Sequence, residues 1–475
     1  MNRLRSRQFA WAAATTTFFL ALIWACLACI APTAQAATWS ATGSMGTARD
    51  GHTSTLLSNG KVLVAGGANT FVFLASAELY DPATGIFSAT GSMGVTRYNH
   101  IAALLPNGKV LVAGGTDSSG NPLASAELYD PATGTFSATG SMGTARHNPS
   151  ATRLLNGNVL VAGGRSVNGI LPYTPSSAEQ YNPATGTFFA TGSMGTPREW
   201  HMLTLLQNGK VLVSGGSNTD LFGNVVPLSS AELYDPATGI FSPTGSMGID
   251  RYNPTATRLL NGKVLVAGGV SANVIGGILA TAEVYDPATG TFSTTGSMVL
   301  TQFNETASLL PDGTVLFAGG QMVTLGLQFS ELYDPGTGTF FPTSSMGVGR
   351  YNHYATDSKS ILLPSGQILA VGGFDSGVSL ASAELYDPGT SIPVTSSIFP
   401  ASGPVGTLVT ITGSNFGAVQ GGSTVTFNGT IAGNVSGWSN GQIQITVPVG
   451  ATTGPVVVTV AGTASNAMAF TVTPL

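Results

Sequence analysis

The chain has 475 residues, 43% of them hydrophobic and only 8% charged, with 63 glycines and 26 prolines. Its 22 acidic residues outnumber 17 basic ones, which argues against partners bound by displacing counterions, such as nucleic acid or an anionic membrane surface. High apolar content beside abundant Gly and Pro excludes a disordered chain and points to turn-rich, all-β structure.

Residues 1–36 read as a signal peptide. Arg3, Arg5 and Arg7 form a positive start, Phe18 to Ile30 an apolar segment, and Ala34-Gln35-Ala36 a small-residue cleavage site. The rival is a retained membrane anchor. A lipidated Cys26 is a poorer fit, because Trp24 is bulky. Cleavage removes both cysteines, Cys26 and Cys29, so no disulfide, thiolate metal site or thiol nucleophile is expected in the mature chain. It also takes the basic residues from 17 to 14 against 22 acids, a net charge near −8. The expected location is secreted, periplasmic or cell-surface, with no membrane insertion after cleavage.

From 37 to 390 one pattern recurs seven times. Its Gly pairs stand at Gly66-Gly67, Gly114-Gly115, Gly163-Gly164, Gly215-Gly216, Gly268-Gly269, Gly319-Gly320 and Gly372-Gly373, spaced 48 to 53 residues apart. A period near 50 with strand-like content predicts one four-stranded sheet per repeat, arrayed radially as a propeller. In the first repeat, His52 to Leu57 is the first strand and Asn59-Gly60 a hairpin turn with both central residues at positive φ. Val62-Leu63-Val64-Ala65 is a second strand, apolar on both faces as a blade between two blades requires. A third strand, Ala77-Glu78-Leu79-Tyr80, leads through the Asp81-Pro82-Ala83-Thr84-Gly85 turn to a fourth around Phe87. Fourth-strand aromatics stand at Trp39, Phe87, Phe136, Phe188, Phe241, Phe292 and Phe340, and none follows Tyr386-Asp387. The strand around Trp39 is therefore expected to complete the seventh blade and close the ring.

Paired glycines, the Tyr-Asp-Pro turn and the aromatic six or seven residues after that Tyr resemble the kelch family. The resemblance implies a seven-bladed kelch β-propeller, similar to bacterial kelch propellers and to that of galactose oxidase. After a linker at 391–396, residues 397–475 resemble an IPT/TIG immunoglobulin-like β-sandwich, on the Ser402-Gly403-Pro404 and Gly413-Ser414-Asn415-Phe416-Gly417 motifs. Relatives of that fold contact DNA. Residues 396–475 contain no Lys, Arg, His, Asp or Glu, so DNA binding is rejected here, and a spacer or stacking role is expected.

The loops joining second to third strands vary in length, those at the opposite face hardly at all. From second Gly to Tyr the spacing is 13 residues in the first repeat, 17 from Gly164 to Tyr181 and 18 from Gly216 to Tyr234. Variable loops on a rigid scaffold are where binding resides, with Tyr173, Leu221, Phe222 and Ile275 as candidates. The loops before each first strand carry Arg49, Arg97, Arg146, Arg198, Arg251 and Arg350, with Gln302 in the sixth place. Third strands carry Glu78, Glu127, Glu179, Glu232, Glu283, Glu331 and Glu384. A residue present in every blade is read as scaffold, here a ring of structural ion pairs; the alternative is a cationic funnel for an acidic ligand.

Three residues after the Arg stand His52, His100, His201 and His353, replaced elsewhere by Pro149, Pro254 and Glu305. The galactose oxidase resemblance implies a Tyr before a copper-ligating His and a Cys for its Tyr–Cys cofactor. The residues before these histidines are Gly51, Asn99, Trp200 and Asn352. No metal and no cofactor are therefore expected. The expected function is non-catalytic recognition of a glycan or protein by a monomer, through Trp200, His201, Tyr173, Phe222, His52, His100 and His353. No nucleophile–base motif, phosphate loop or carboxylate cluster supports the alternative, an exported kelch-type enzyme of sialic-acid mutarotase-like or oxidase-like activity.

Overall fold

The computed structural model describes residues 37–168, 171–219, 224–274, 277–322, 325–351, 361–389, 393–417, 419–460 and 463–474. The proposed signal peptide, and Leu221, Phe222, Ile275, Asn352 and His353, lie outside the described residues. Seven four-stranded antiparallel sheets form the propeller blades. The first six blades run in chain order. The seventh is completed by the N-terminal strand Thr38–Ala41, which pairs with Ala383–Asp387 and sets Trp39 opposite Tyr386. Successive first strands lie side by side from Thr53–Leu56 to Phe303–Leu309, and Ile361–Leu362 returns beside Thr53–Leu56.

Second strands such as Val62–Ala65 and Val110–Ala113 are buried at every position. Each wedge between blades has its own apolar cluster. In the wedge between blades 1 and 2, Leu63 and Ala65 meet Val110, Val112, Tyr129 and Met93. The Tyr ring packs on its own fourth strand, Tyr80 on Phe87 with centroids 4.8 Å apart and Trp39 on Tyr386 at 5.2 Å. The Tyr hydroxyl reaches the preceding blade. Thr42 and Tyr80 share a 2.8 Å hydrogen bond, and the equivalent pairs run from Thr90–Tyr129 to Thr343–Tyr386.

The two glycines of each pair have different tasks. Gly66 and Gly67 both have positive φ, 65° and 85°. A Cβ on Gly66 would lie 2.7 Å from the Arg97 carbonyl of the next blade and 2.7 Å from the His100 ring; one on Gly67 would strike His52 of its own blade. Blades thus approach each other backbone to backbone at the first glycine.

The Asn-Gly turns differ from expectation. Gly60 has φ 82°, but Asn59 does not adopt positive φ. The Gly60 N–H donates to the Leu57 carbonyl and the Leu57 N–H to the Lys61 carbonyl. This is a three-residue loop closing on a left-handed glycine, and the Asn59 side chain accepts from the Lys61 N–H at 3.1 Å. At the C-terminus two sheets form a sandwich around Val409, Ile411, Phe416, Val425, Phe427, Ile443, Val458 and Phe470. Its first strand, Val394–Phe399, starts inside the stretch read as linker. Thr395 and Ile398 turn inward across a β-bulge, so this strand shows no period-two pattern that the sequence could have announced.

Candidate ligand-binding face

Each loop before a first strand is zipped to the loop after the second strand of the same blade. Asp50 bridges to Ala68, Tyr98 to Thr116, His147 to Arg165, Glu199 to Ser217 and Tyr252 to Val270. Both loop sets therefore share one face. Four blades extend it with small hairpins, including Ala68–Asn69 with Val72–Phe73 and Ser166–Asn168 with Leu171–Tyr173.

The six arginines sit under this face and are not part of its surface. Each is 0% exposed. Arg198 Nη1 donates to the carbonyls of Gly215 (2.8 Å) and Ser230 (2.9 Å), and Nη2 to Ser230 Oγ (2.9 Å) and Glu232 Oε1 (3.0 Å). The Glu completes the knot by accepting the N–H groups of Gly195 and Thr196. The same pairing joins Arg49 to Glu78, Arg97 to Glu127, Arg146 to Glu179, Arg251 to Glu283 and Arg350 to Glu384, at 2.8–3.1 Å. Side-chain bonds stay within the blade. The Arg backbone carbonyl links outward, accepting the N–H of the previous blade's second glycine: Gly67 to Arg97, Gly115 to Arg146, and round to Gly373 with Arg49.

Blade 6 breaks the pattern. Gln302 Nε2 donates to Glu331 at 3.3 Å, and burial with no cation partner pushes the Glu331 carboxyl up to about 7. Glu305, in the His position, is buried with both oxygens unpartnered. Burial, with the neighbouring Glu331 adding, pushes it up to about 8. Its Oε1 lies 2.5 Å from where a Cβ on Gly268 of blade 5 would be.

The histidines do not behave as exposed ligands. His52, His100 and His201 are buried, with pKa values pushed down to about 3, chiefly by desolvation and then by the adjacent Arg49, Arg97 and Arg198. The His100 ring edge lies against Gly66 of blade 1, and His52 against Gly372 of blade 7. Each imidazole occupies its own wedge between blades. The physical reason is the residue just before it, which is left-handed and turns the next side chain away from the axis: Gly51 has φ 58°, Asn99 52°, Asn148 49°, Trp200 54°, Asn253 50° and Asn304 59°. The sequence reading placed the histidines at the mouth; His52, His100 and His201 do line the axial cavity, but from buried positions with their ring edges against the neighbouring blade. Backbone bonds run from one left-handed residue to the next, Asn99 N–H to Gly51 O and Asn253 N–H to Trp200 O.

These left-handed residues border a cavity of about 70 Å³ on the propeller axis, which is lined as well by the three buried histidines, Met202 and Glu305. Trp200 is half-buried and packs on Tyr252, centroids 5.5 Å apart. Tyr173 is exposed on the blade 3 hairpin and does not line that cavity. A second pocket of about 370 Å³ lies between the outer loops of blades 1 to 3, where Phe73, Tyr98, His147 and Arg165 meet. Residues scattered over three repeats gave no sequence signal for it.

Comparison with known proteins identifies Kelch motifs at 97–143, 251–299 and 362–392 and an IPT/TIG domain at 393–472. Over 79 residues the chain is 42% identical to a cyclomaltodextrin glucanotransferase of Geobacillus stearothermophilus. That segment is 17% of this chain and 11% of the relative, so the chain spans about a tenth of that enzyme's length. Among solved structures, a fungal alcohol oxidase of the AA5 family in complex with copper superposes with a TM-score of 0.59. The match covers 93% of this chain and 100% of that one at 18% identity, which shows a shared fold. The described residues do not fit copper. His52, His100 and His201 point into separate wedges, no Cys follows Cys29, and no group of three His, Cys, Asp or Glu among the described residues is placed to hold a metal. The chain is a kelch-repeat β-propeller protein with a C-terminal IPT/TIG domain.

Proposed function

We propose that this is an exported, non-catalytic binding protein that recognises a glycan or a protein through the loop face of its propeller. Trp200 carries the reading. At the other described positions of its ring the left-handed residue is Asn or Gly, the types that tolerate that conformation. A bulky aromatic held there costs on the order of 1–3 kcal/mol, and such strain clusters at ligand sites. An indole beside a small axial cavity lined by both apolar groups and asparagine amides suits an aromatic-anchored sugar or peptide. Around it the face carries exposed Phe71, Val72, Leu171, Tyr173, Val226 and Leu325, an apolar crown of the kind that marks an interaction surface.

The test is a glycan and protein-partner array probed with the parent and with Trp200→Asn. The variant is expected to lose binding while melting no lower than the parent, because Asn relieves the strain. Unchanged binding in Trp200→Asn refutes the role of the axial mouth. One observation favours an enzyme instead: Glu305, a carboxyl near pKa 8 beside the axial cavity, has the protonation range of an acid–base group. Turnover of a sugar that vanishes in Glu305→Gln, with binding intact, would establish that second reading.

A further inference from the structure

Cations on this protein are almost all neutralised. Six arginines pair with glutamates. Lys61, Lys109, Lys210 and Lys263 pair with the Asp of the Tyr-Asp-Pro turns. Arg153 and Arg258 donate to the carbonyls of Leu104 and Leu205. Arg165 is the exception among the described residues. It stands directly after Gly163-Gly164, where the other blades have Ala68, Thr116, Ser217, Val270, Gln321 and Phe374. Its backbone bonds to His147, but its guanidinium forms neither an ion pair nor a hydrogen bond among the described residues. Glu199 is close enough to feel its charge yet lies beyond ion-pair distance, and Thr219 donates to its carboxyl.

That guanidinium lines the pocket of about 370 Å³ between the outer loops, within the roughly 300–1,000 Å³ typical of small-molecule sites. The same pocket is lined by an aromatic pair, Phe73 stacked on Tyr98 with centroids 5.0 Å apart and planes 13° from parallel. Tyr98 is held rigidly: its hydroxyl donates to Asp50, which also accepts from Ser379 Oγ of blade 7. His147, bonded to Thr116 and Asn148, has its pKa pushed down by burial, then by Arg165, to about 4. It is neutral at pH 7, so Arg165 supplies the pocket's positive charge. A planar donor fork and an aromatic pair lining one pocket match a sugar ring bearing a carboxylate. In such a complex the ring's C–H face would stack on the aromatics and the carboxylate would accept from the fork. We infer that this pocket binds a carboxylate-bearing sugar, a uronate, with Arg165 as the anion clamp and Phe73–Tyr98 as the ring platform. The site deepens the loop-face reading and rests on it, while standing apart from the axial mouth.

The test is calorimetric titration of the full mature chain with tetragalacturonate and with its methyl ester, in which each carboxylate is masked. The free acid should bind, the ester at least tenfold more weakly. Arg165→Ala should cost at least tenfold for the acid and nothing for the ester, with Arg165→Lys between. Arg165→Ala should melt close to the parent, since the guanidinium has no hydrogen bond or ion pair to lose and only the more distant charge of Glu199 beside it. Trp200→Asn, distant from this pocket, should bind the acid normally. Failure of the parent to bind the acid, equal binding of acid and ester, or undiminished binding by Arg165→Ala overturns the assignment. Arg165-dependent binding of polyglutamate without binding of the uronate also overturns it, in favour of an acidic peptide. Ester binding that is lost in Trp200→Asn alone would keep the loop-face reading and remove the Arg165 site.

Discussion

Replacing Arg198 by Gln would give blade 4 what blade 6 already has. Arg198 satisfies two buried carbonyls, a serine hydroxyl and Glu232 with one guanidinium. Gln302 in blade 6 retains only the bond to Glu331, at 3.3 Å, and a contact with the Met298 sulfur at 3.6 Å. Breaking one side of a buried ion pair costs about 3–5 kcal/mol. Unfolding entropy of about 2.1 cal/mol/K per residue, over the roughly 350 residues of the propeller, converts this to a melting point about 4–7 °C lower. A pH signature should accompany it. Glu331, without an arginine, has its carboxyl raised to about 7, and Glu232 in the variant should move the same way. The folded state would then hold a proton that the unfolded state releases near 4.5. The variant should lose further stability relative to the parent as pH rises from about 5 to 7. Calorimetry or urea unfolding of the parent, Arg198→Gln, Glu232→Gln and the double variant measures both effects. The double variant should lose less than the sum of the singles by 1 kcal/mol or more. A variant melting within 1 °C of the parent at pH 7, or strict additivity, would refute the reasoning.

Three further outcomes follow from the same geometry. Glu305, raised to about 8, destabilises the folded chain progressively between pH 5 and 8, whereas the buried histidines at about 3 act oppositely, withdrawing stability as pH falls below 6.5; urea midpoints of Glu305→Gln should exceed the parent's at pH 8 and converge with them at pH 5. Gly66→Ala, whose Cβ would meet the next blade's backbone, should cost 3 kcal/mol or more, whereas Gly60→Ala, with φ 82° but open space around it, should cost about 1 kcal/mol by equilibrium unfolding. Deleting residues 37–44 from a leaderless chain removes the Trp39–Tyr386 ladder and the Thr42–Tyr80 bond; its thermal transition should fall by at least 10 °C or disappear, and survival at the parent temperature would disprove closure by that strand.

Much of the fold was legible because repetition multiplies a weak signal. A single Gly-Gly is ambiguous, but seven at a near-constant spacing, each followed by a Glu and a Tyr, permit little besides a propeller, and the stray Trp39 shows where the ring is cut. The Arg and Glu positions could be paired in advance because six of the seven blades offered one of each. Side-chain direction was not legible. His52, His100 and His201 follow a left-handed residue that sends them into the wedges, and nothing in the words Asn-His or Trp-His announces it. The Asn59-Gly60 turn has one positive φ, where local rules suggested two. The pocket around Arg165 draws one wall from each of three blades, so only the closed ring assembles it.

The position of the cut has a consequence in time. Thr38 must find Asp387, its partner across nearly the whole propeller. Closing so large a loop is entropically slow, and it is the last event available, because the third strand of blade 7 is the last propeller strand to emerge. At about 5–20 residues per second, the N-terminal strand waits tens of seconds for its partner. Until then the Thr38–Ala41 strand stays unpaired, and once Ala383–Asp387 has emerged its edge is open too until the two meet. The same strand that seals the finished ring therefore sets the period during which the nascent chain is exposed to edge-to-edge association. Mutations that weaken Trp39 or Tyr386 should raise aggregate yield during refolding before they measurably alter the folded protein.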